Sequence, residues 1–350
     1  MLGFLVRRLG WAITLTFAVT LVTFVVFFIL PTHYNNARRN ERGTDLQTQF
    51  DARGSVPVQY LHFLGHVVLH FDLGTSRASD EPVTDVLRRT LPVTASLVLG
   101  GVILWLLLAF PIGVLSALRP RSLLDKGLML LVVTGAAAHP VWVSLLFSYF
   151  FGVRLHVFPI SGYCDFVYHA DSSYGCGGPR FWAFHMTLPW ITYALVFAAL
   201  YARMIRGSLM ETMEEDYVRT ARAKGASTFR VVRRHALRNA MLPVITMLGM
   251  DVGVAFAGAL FIEDVFDLPG MGRLFVNSIG AGDVPVIMGI ALVVSFAVVI
   301  ANLLVDMLYS IADPRIRTST MGGMIRVSRA ESRALSSGQA QTPATESAAS

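Results

Sequence analysis

Six apolar runs, each near the length that crosses a hydrocarbon core, constrain this sequence more than anything else in it. They lie near 9–30, 94–118, 128–151, 186–205, 243–263 and 286–311. A core about 30 Å thick takes about 20 apolar residues as a helix. Inside it no water can satisfy backbone N–H and C=O groups, so such a run must bond itself. The expected fold class is an all-α polytopic membrane protein with six transmembrane helices. Pro111 and Gly113 in the second run, and Pro189 in the fourth, are tolerable where neighbouring helices resolve the freed groups. The first run follows Arg7-Arg8, yet it is too long for a signal core and no small-residue cleavage site follows it. It reads as a retained span.

Charge placement orients these spans. A net charge of +6 would suit nucleic acid if it formed one surface, but the charges cluster at segment ends. With 54% hydrophobic and 15% charged residues among 350, a membrane protein without nucleic acid is the better reading. Arg7, Arg8, Arg119, Arg121, Lys126, Arg315 and Arg317 share a side with the most basic loop. The short loops opposite carry only Arg154, Arg180 and Arg273. Cationic loops stay inside, which makes both termini cytoplasmic; the long 31–92 segment is exempt because long segments translocate regardless of charge. Four regions are expected: 1–30 with the first span, an external 31–92 segment, a five-helix core over 93–317 containing a cytoplasmic loop 206–242, and a disordered tail 318–350.

The stretch 216–243, DYVRTARAKGASTFRVVRRHALRNAMLP, is a polar and basic island between two apolar runs. Glu211, Glu214, Glu215 and Asp216 crowd the start of a helical pattern, where negative charge meets the positive end of the helix dipole. Arg222 and Lys224 end it, and Gly225 supplies a left-handed cap. Ala221 and Ala223 are small enough for another surface to approach closely. Ser227 is placed to cap a second helix carrying Arg230, Arg233, Arg234 and Arg238 toward Pro243, a first-turn proline of the next run. Anchoring on anionic lipid would need the cations alone. The acidic start and glycine bend suit protein docking better.

On these residues the stretch resembles the cytoplasmic loop of ABC importer permease subunits, specifically the dipeptide/oligopeptide/nickel class. The general pattern, Glu-Ala-Ala, three residues and Gly, reads Arg219, Thr220, Ala221 and Gly225 here. Its later Ile-x-Leu-Pro reads His235-Ala236-Leu237-Arg238. The peptide class is similar in those departures, with ARAKG followed by RHALRNAxLP. Further likenesses are Leu73-Gly74-Thr75-Ser76, Pro82-Val83, Leu91-Pro92-Val93-Thr94, His139-Pro140 and 158–162. Glu263, Phe266, Pro269-Gly270, Gly272, Asp283, Asn302, Asp306 and Asp313-Pro314-Arg315 extend them. The LPTHYNN after the first span and an enlarged cysteine loop depart from the pattern.

The resemblance implies a non-catalytic subunit of a multi-pass transporter in the bacterial cytoplasmic membrane, carrying dipeptides or oligopeptides. Asp216, Tyr217, Arg219, Thr220, Ala221, Arg222, Ala223, Lys224 and Gly225 would form the coupling helix. Its implied partners are a second homologous permease subunit, two cytoplasmic ATPase subunits that bind ATP and Mg, and an extracytoplasmic solute-binding protein. The chain itself agrees with an external engine. Its lysines, Lys126 and Lys224, do not lie in a phosphate-binding Gly-x-x-x-x-Gly-Lys motif. Nickel uptake fits the same loop. A secondary transporter would need internal repeats, and none is evident; a non-transport anchor is the third alternative.

Smaller features complete the reading. Asp251 lies mid-span, where an acid is costly. It either faces the translocation path or bonds a neighbouring helix. Asn302 and Asp306 sit nearer the cytoplasmic end and read as helix ties, and His139 reads as a bonded helix-interior or kink residue rather than a proton relay. Cys164 and Cys176 fall in an external loop, where a disulfide is favoured over two free thiols. His62, His66 and His70 recur every fourth residue opposite Leu61, Leu64, Val68 and Phe71. That is the polar face of an interfacial helix rather than a metal site. No catalytic set and no metal site is read.

Overall fold

The computed structural model describes residues 2–29, 50, 55–167 and 176–312. The LPTHYNN segment, Asp313-Pro314-Arg315 and the tail from 318 lie outside them. Among the described residues every named element is helical, and pairing is limited to two isolated bridges, Thr75 with Pro82 and Asp165 with Gly177.

Helix α1 (Leu2–Phe24) continues through a widened turn at Val25–Ile29. Helix α2 (Val56–Leu69) lies between it and α3 (Val83–Leu118) in the chain. The 36 residues of α3 make it about 54 Å long at 1.5 Å per residue, so it extends well beyond the run 94–118. Helix α6 (Pro179–Met213) is similarly long and takes in Arg206, the first residue of the expected loop 206–242. Among the described residues four helices are long and apolar enough to span, and up to six if two bent pairs each count once.

Those bends fall within the third and fifth expected spans. The run 128–151 is divided into α4 (Leu123–Ala137) and α5 (Pro140–Phe147), the latter extended by a widened turn, with a 103° bend between the halves. Pro140 explains it. A residue before proline is driven out of helical geometry, and His139 is extended at ψ 136°. His139 then caps α5, its Nδ1 accepting from Val141 N at 3.4 Å. Helix α9 (Leu242–Val265) bends by 56° between Asp251 and Gly253. Helix α10 (Met271–Ala281) and α11 (Val284–Ala312) complete the described fold.

The main core lies where α3 meets α6, and small residues bring those axes together. Tyr193 sits on Gly101, while Gly113 faces the Ala202 carbonyl at a distance that leaves no room for a Cβ. Trp105 stacks on Phe197 with ring centroids 4.5 Å apart. A second core joins α1, α2, α3 and α11 through Phe24, Phe28, Phe63, Leu87 and Val286. Here α2 departs from its expected orientation. Tyr60 and Phe63 are buried with Leu64 and Val67 against them, whereas Leu61, Val68 and Phe71 face outward. The apolar outward residues mark a second face of α2, not the one that holds it to the protein.

Candidate coupling site

Between α6 and α9 the chain folds into two short helices joined by a bend. Helix α6 ends at Met213, so Glu211 belongs to its last turn; only Glu215 and Asp216 stand at the start of α7 (Asp216–Ala223). Gly225 follows at φ +81°, its N–H donating to Arg222 O at 2.9 Å. Ala226 N donates to Ala221 O at 3.2 Å. These two bonds close a helix end with a left-handed residue and satisfy carbonyls that the helix would otherwise leave open. Ser227 stands at the expected start of α8, which runs from Thr228 to Ala240 through a widened turn at Val232–Ala236. Its side chain makes no capping bond; the extended backbone alone begins the helix.

One face of this unit is fixed to the bundle and the other is open. Val218 is fully buried with Leu209 of α6, Ala117 of α3, and Val231, Val232, Ala236 and Ala240 of α8. Asn239 Nδ2 donates to Tyr217 OH at 2.9 Å, and Ser208 Oγ donates to Ala240 O at 2.9 Å. Arg219, Thr220, Arg222, Ala223, Lys224 and Gly225 are exposed, and Ala221 is half-buried. Phe229 is 74% exposed beside them. The unit therefore presents cations and an aromatic ring while its apolar side rests on the ends of α3 and α6.

Those ends are locked together by groups that sequence reading missed. Arg206 of α6 donates from Nε and Nη2 to the two carboxylate oxygens of Asp125, at 2.8 and 2.9 Å. Asp125 also accepts from Ser116 Oγ of α3 and from Arg121 N at 2.9 Å. Ser122 Oγ accepts from Asp125 N at 3.1 Å and caps α4. A paired guanidinium and carboxylate with fully used lone pairs tolerates burial that a single charge would not. Higher in the bundle, Tyr201 OH of α6 donates to Asp251 Oδ2 of α9 at 2.9 Å. Asp251 is half-buried at the bend of α9, in contact with a neighbouring helix.

Residues 109–318 match the family described as binding-protein-dependent transport system inner membrane component, and residues 1–98 match its N-terminal counterpart. This chain belongs to that family. Among similar proteins, the dipeptide transport system permease protein DppB of Escherichia coli (strain K12) is 34% identical over 337 residues, covering 91% of this chain and 99% of that protein. The di/tripeptide transport system permease protein DppB of Pseudomonas aeruginosa (strain UCBPP-PA14) is 35% identical over 334 residues, with the same coverage.

In this inner membrane component, several motif residues far from the loop turn out to serve one junction. Glu263 near the end of α9 is fully buried. Its Oε2 accepts from Gly272 N at 2.7 Å and Arg273 N at 3.3 Å, and its Oε1 accepts from Thr94 Oγ1 at 2.6 Å. Thr94 Oγ1 in turn accepts from Met271 N at 2.8 Å. The first N–H groups of α10 are thus satisfied by side chains from two other helices, Thr94 of α3 and Glu263 of α9, an N-cap supplied at a distance. Gly270 and Gly272 are required by that approach: a Cβ on the first would overlap the carboxylate, and one on the second would lie 2.6 Å from Leu260 Cα. Asp283, buried, accepts from Ser76 Oγ at 2.5 Å and fastens 73–78 to the start of α11. Asp306 pairs with Arg8 at 2.5 Å, tying α11 to α1, and Gly249 packs on Val305 and Asn302. Cys164 and Cys176 are disulfide-bonded, their Cα atoms 5.3 Å apart.

Proposed function

We propose that this permease subunit forms half of the gate of an ATP-driven ABC importer for dipeptides or oligopeptides. The curated relatives carry dipeptide and di/tripeptide transport in their names and match nearly the whole chain, which supports that substrate class. In this reading α4 with α5 counts as one span and α9 as another, making six, with both termini and the α7–α8 loop in the cytoplasm of a bacterium. A second, similar permease completes the pathway, two ATPases that bind ATP and Mg dock on the loops, and an external binding protein delivers cargo.

The observation that carries the reading is the two-sided character of the α7–α8 unit: Val218 fixed among the ends of α3 and α6, and Arg219, Arg222 and Lys224 with Phe229 of α8 open to a partner. A movement imposed on the open face passes through a rigid, packed contact into two long helices, as coupling between two states requires. The exposed aromatic and arginines are the residue types that dominate protein interfaces. The path role of Asp251 remains part of the proposal, with the Tyr201 bond setting its resting position.

The test is uptake by cells lacking this chain. Loss of labelled dipeptide or oligopeptide uptake, restored by the wild-type chain and abolished by ATP depletion, supports the proposal. Loss of nickel uptake alone would move the subunit to the metal branch of the class, and uptake that persists without ATP would overturn the ATP-driven reading.

A further inference from the structure

A crevice of about 550 Å³ opens between α1, α2, α3 and α11, a size usual for small-molecule sites. Its wall is apolar, and three of its hydroxyls are engaged: Thr16 and Thr20 bond carbonyls of their own helix and Thr84 bonds Phe71 O. Arg88 is the one charged residue on the wall. It is exposed, and among the described residues it makes no hydrogen bond or ion pair, while its neighbour Arg89 is paired with Glu81 at 2.6 Å.

The position of that cation identifies the ligand. Arg88 lies in the second turn of α3, and Ala117, which packs on the coupling unit, is about 44 Å further along the same helix. That separation exceeds the hydrocarbon thickness, so Arg88 stands at headgroup level on the surface opposite the loop. Leu61 and Val68 of α2, and Phe71 just beyond it, are exposed by 65%, 51% and 73%, as on a helix lying in the membrane interface. A peptide, charged at both ends, would need a carboxylate partner that the wall lacks. We propose that the crevice holds an acyl chain of an anionic glycerophospholipid, with the phosphate bonded by Arg88. An arginine suits this role because its planar fork matches phosphate oxygens. Seated there, the chain joins α2 to α1 and α11 and fills space that their side chains leave open.

The test titrates the delipidated full chain, in detergent, with dioleoylphosphatidylglycerol and separately with dioleoylphosphatidylcholine, counting bound lipid by native mass spectrometry. The wild type is expected to prefer phosphatidylglycerol, and Arg88→Gln to lower that preference about fivefold. Ser295→Trp, filling the crevice from α11, is expected to remove bound lipid of both kinds. Unchanged preference in Arg88→Gln overturns the proposal, as does undiminished binding in Ser295→Trp. Should Ser295→Trp fail to assemble, the exposed Arg88→Gln decides alone. A photoreactive residue replacing Phe296 is expected to capture lipid; capture of the second permease or of residues 30–54 instead would assign the crevice to protein.

Discussion

Gly225 offers the sharpest separation between backbone shape and side-chain contact. At φ +81°, with nothing within 4 Å of an added Cβ, alanine meets only the strain of the left-handed region, about 1–2 kcal/mol. Proline cannot adopt that φ, and it also removes the N–H that donates to Arg222 O at 2.9 Å, a combined cost of about 3 kcal/mol or more. Against these stands what holds α7 in place. Burial of Val218 contributes about 2 kcal/mol, and the Asn239–Tyr217 hydrogen bond about 1 kcal/mol. Gly225→Ala therefore leaves about 1.5 kcal/mol of restraint, a docked fraction near 90%. Gly225→Pro leaves about none, so α7 detaches. Uptake of a labelled dipeptide, normalised to membrane insertion by immunoblot, is expected to stay above about half of wild type for alanine and to vanish for proline. Normal uptake with proline would refute the lever. Equal loss with alanine would show that a partner surface packs on Gly225 itself.

Other residues give independent checks. Glu263→Ala strands the N–H groups of Gly272 and Arg273, a loss of about 3 kcal/mol. The melting midpoint in detergent should fall by about 6 °C, at about 2 °C per kcal/mol for a chain of this size. Glu263→Gln keeps one acceptor and should fall by about a third of that; equal shifts would remove the capping role. Asp125→Asn leaves Arg206 without its charge partner, so it should melt lower than the double replacement Asp125→Asn with Arg206→Met; the reverse order would show that the pair does not lock α3, α4 and α6. Asp251→Asn should lower uptake of peptides while leaving melting within about 2 °C of wild type, since an amide still accepts from Tyr201. Unchanged uptake of every peptide tested would remove Asp251 from the path.

How much of this was legible in the sequence depends on the reach of each interaction. The apolar runs and the α7–Gly225–α8 hairpin follow from local chemistry, and both were readable: the bend glycine, the small residues and Pro243 each act within a few positions. Local signals also misled. Pro140 lies in an apolar run like the helix-interior Pro111 and Pro189, yet its partner His139 accepts the Val141 N–H and starts a new helix. Sequence offered no way to rank the two outcomes, because both remove the same N–H. Ser227 looked like a side-chain cap and serves by backbone alone.

The long-range groups were out of reach for a different reason. Thr94 and Glu263 stand 169 positions apart, and Arg206 and Asp125 stand 81 apart. Nothing in either neighbourhood names the other. Glu263, Pro269-Gly270 and Gly272 entered the reading only through family likeness. The physical reason for that pattern, a carboxylate capping a helix across a gap only glycine leaves open, became visible with the fold.

The account turns on where force enters the chain, and cysteine cross-linking in the assembled transporter measures that directly. Arg219→Cys and Phe229→Cys, placed in membranes containing the ATPase subunits, are expected to cross-link to an ATPase and to resist impermeant thiol reagents added from outside intact cells. Labelling of either cysteine from outside, or the absence of any ATPase adduct while the complex transports peptide, would contradict it.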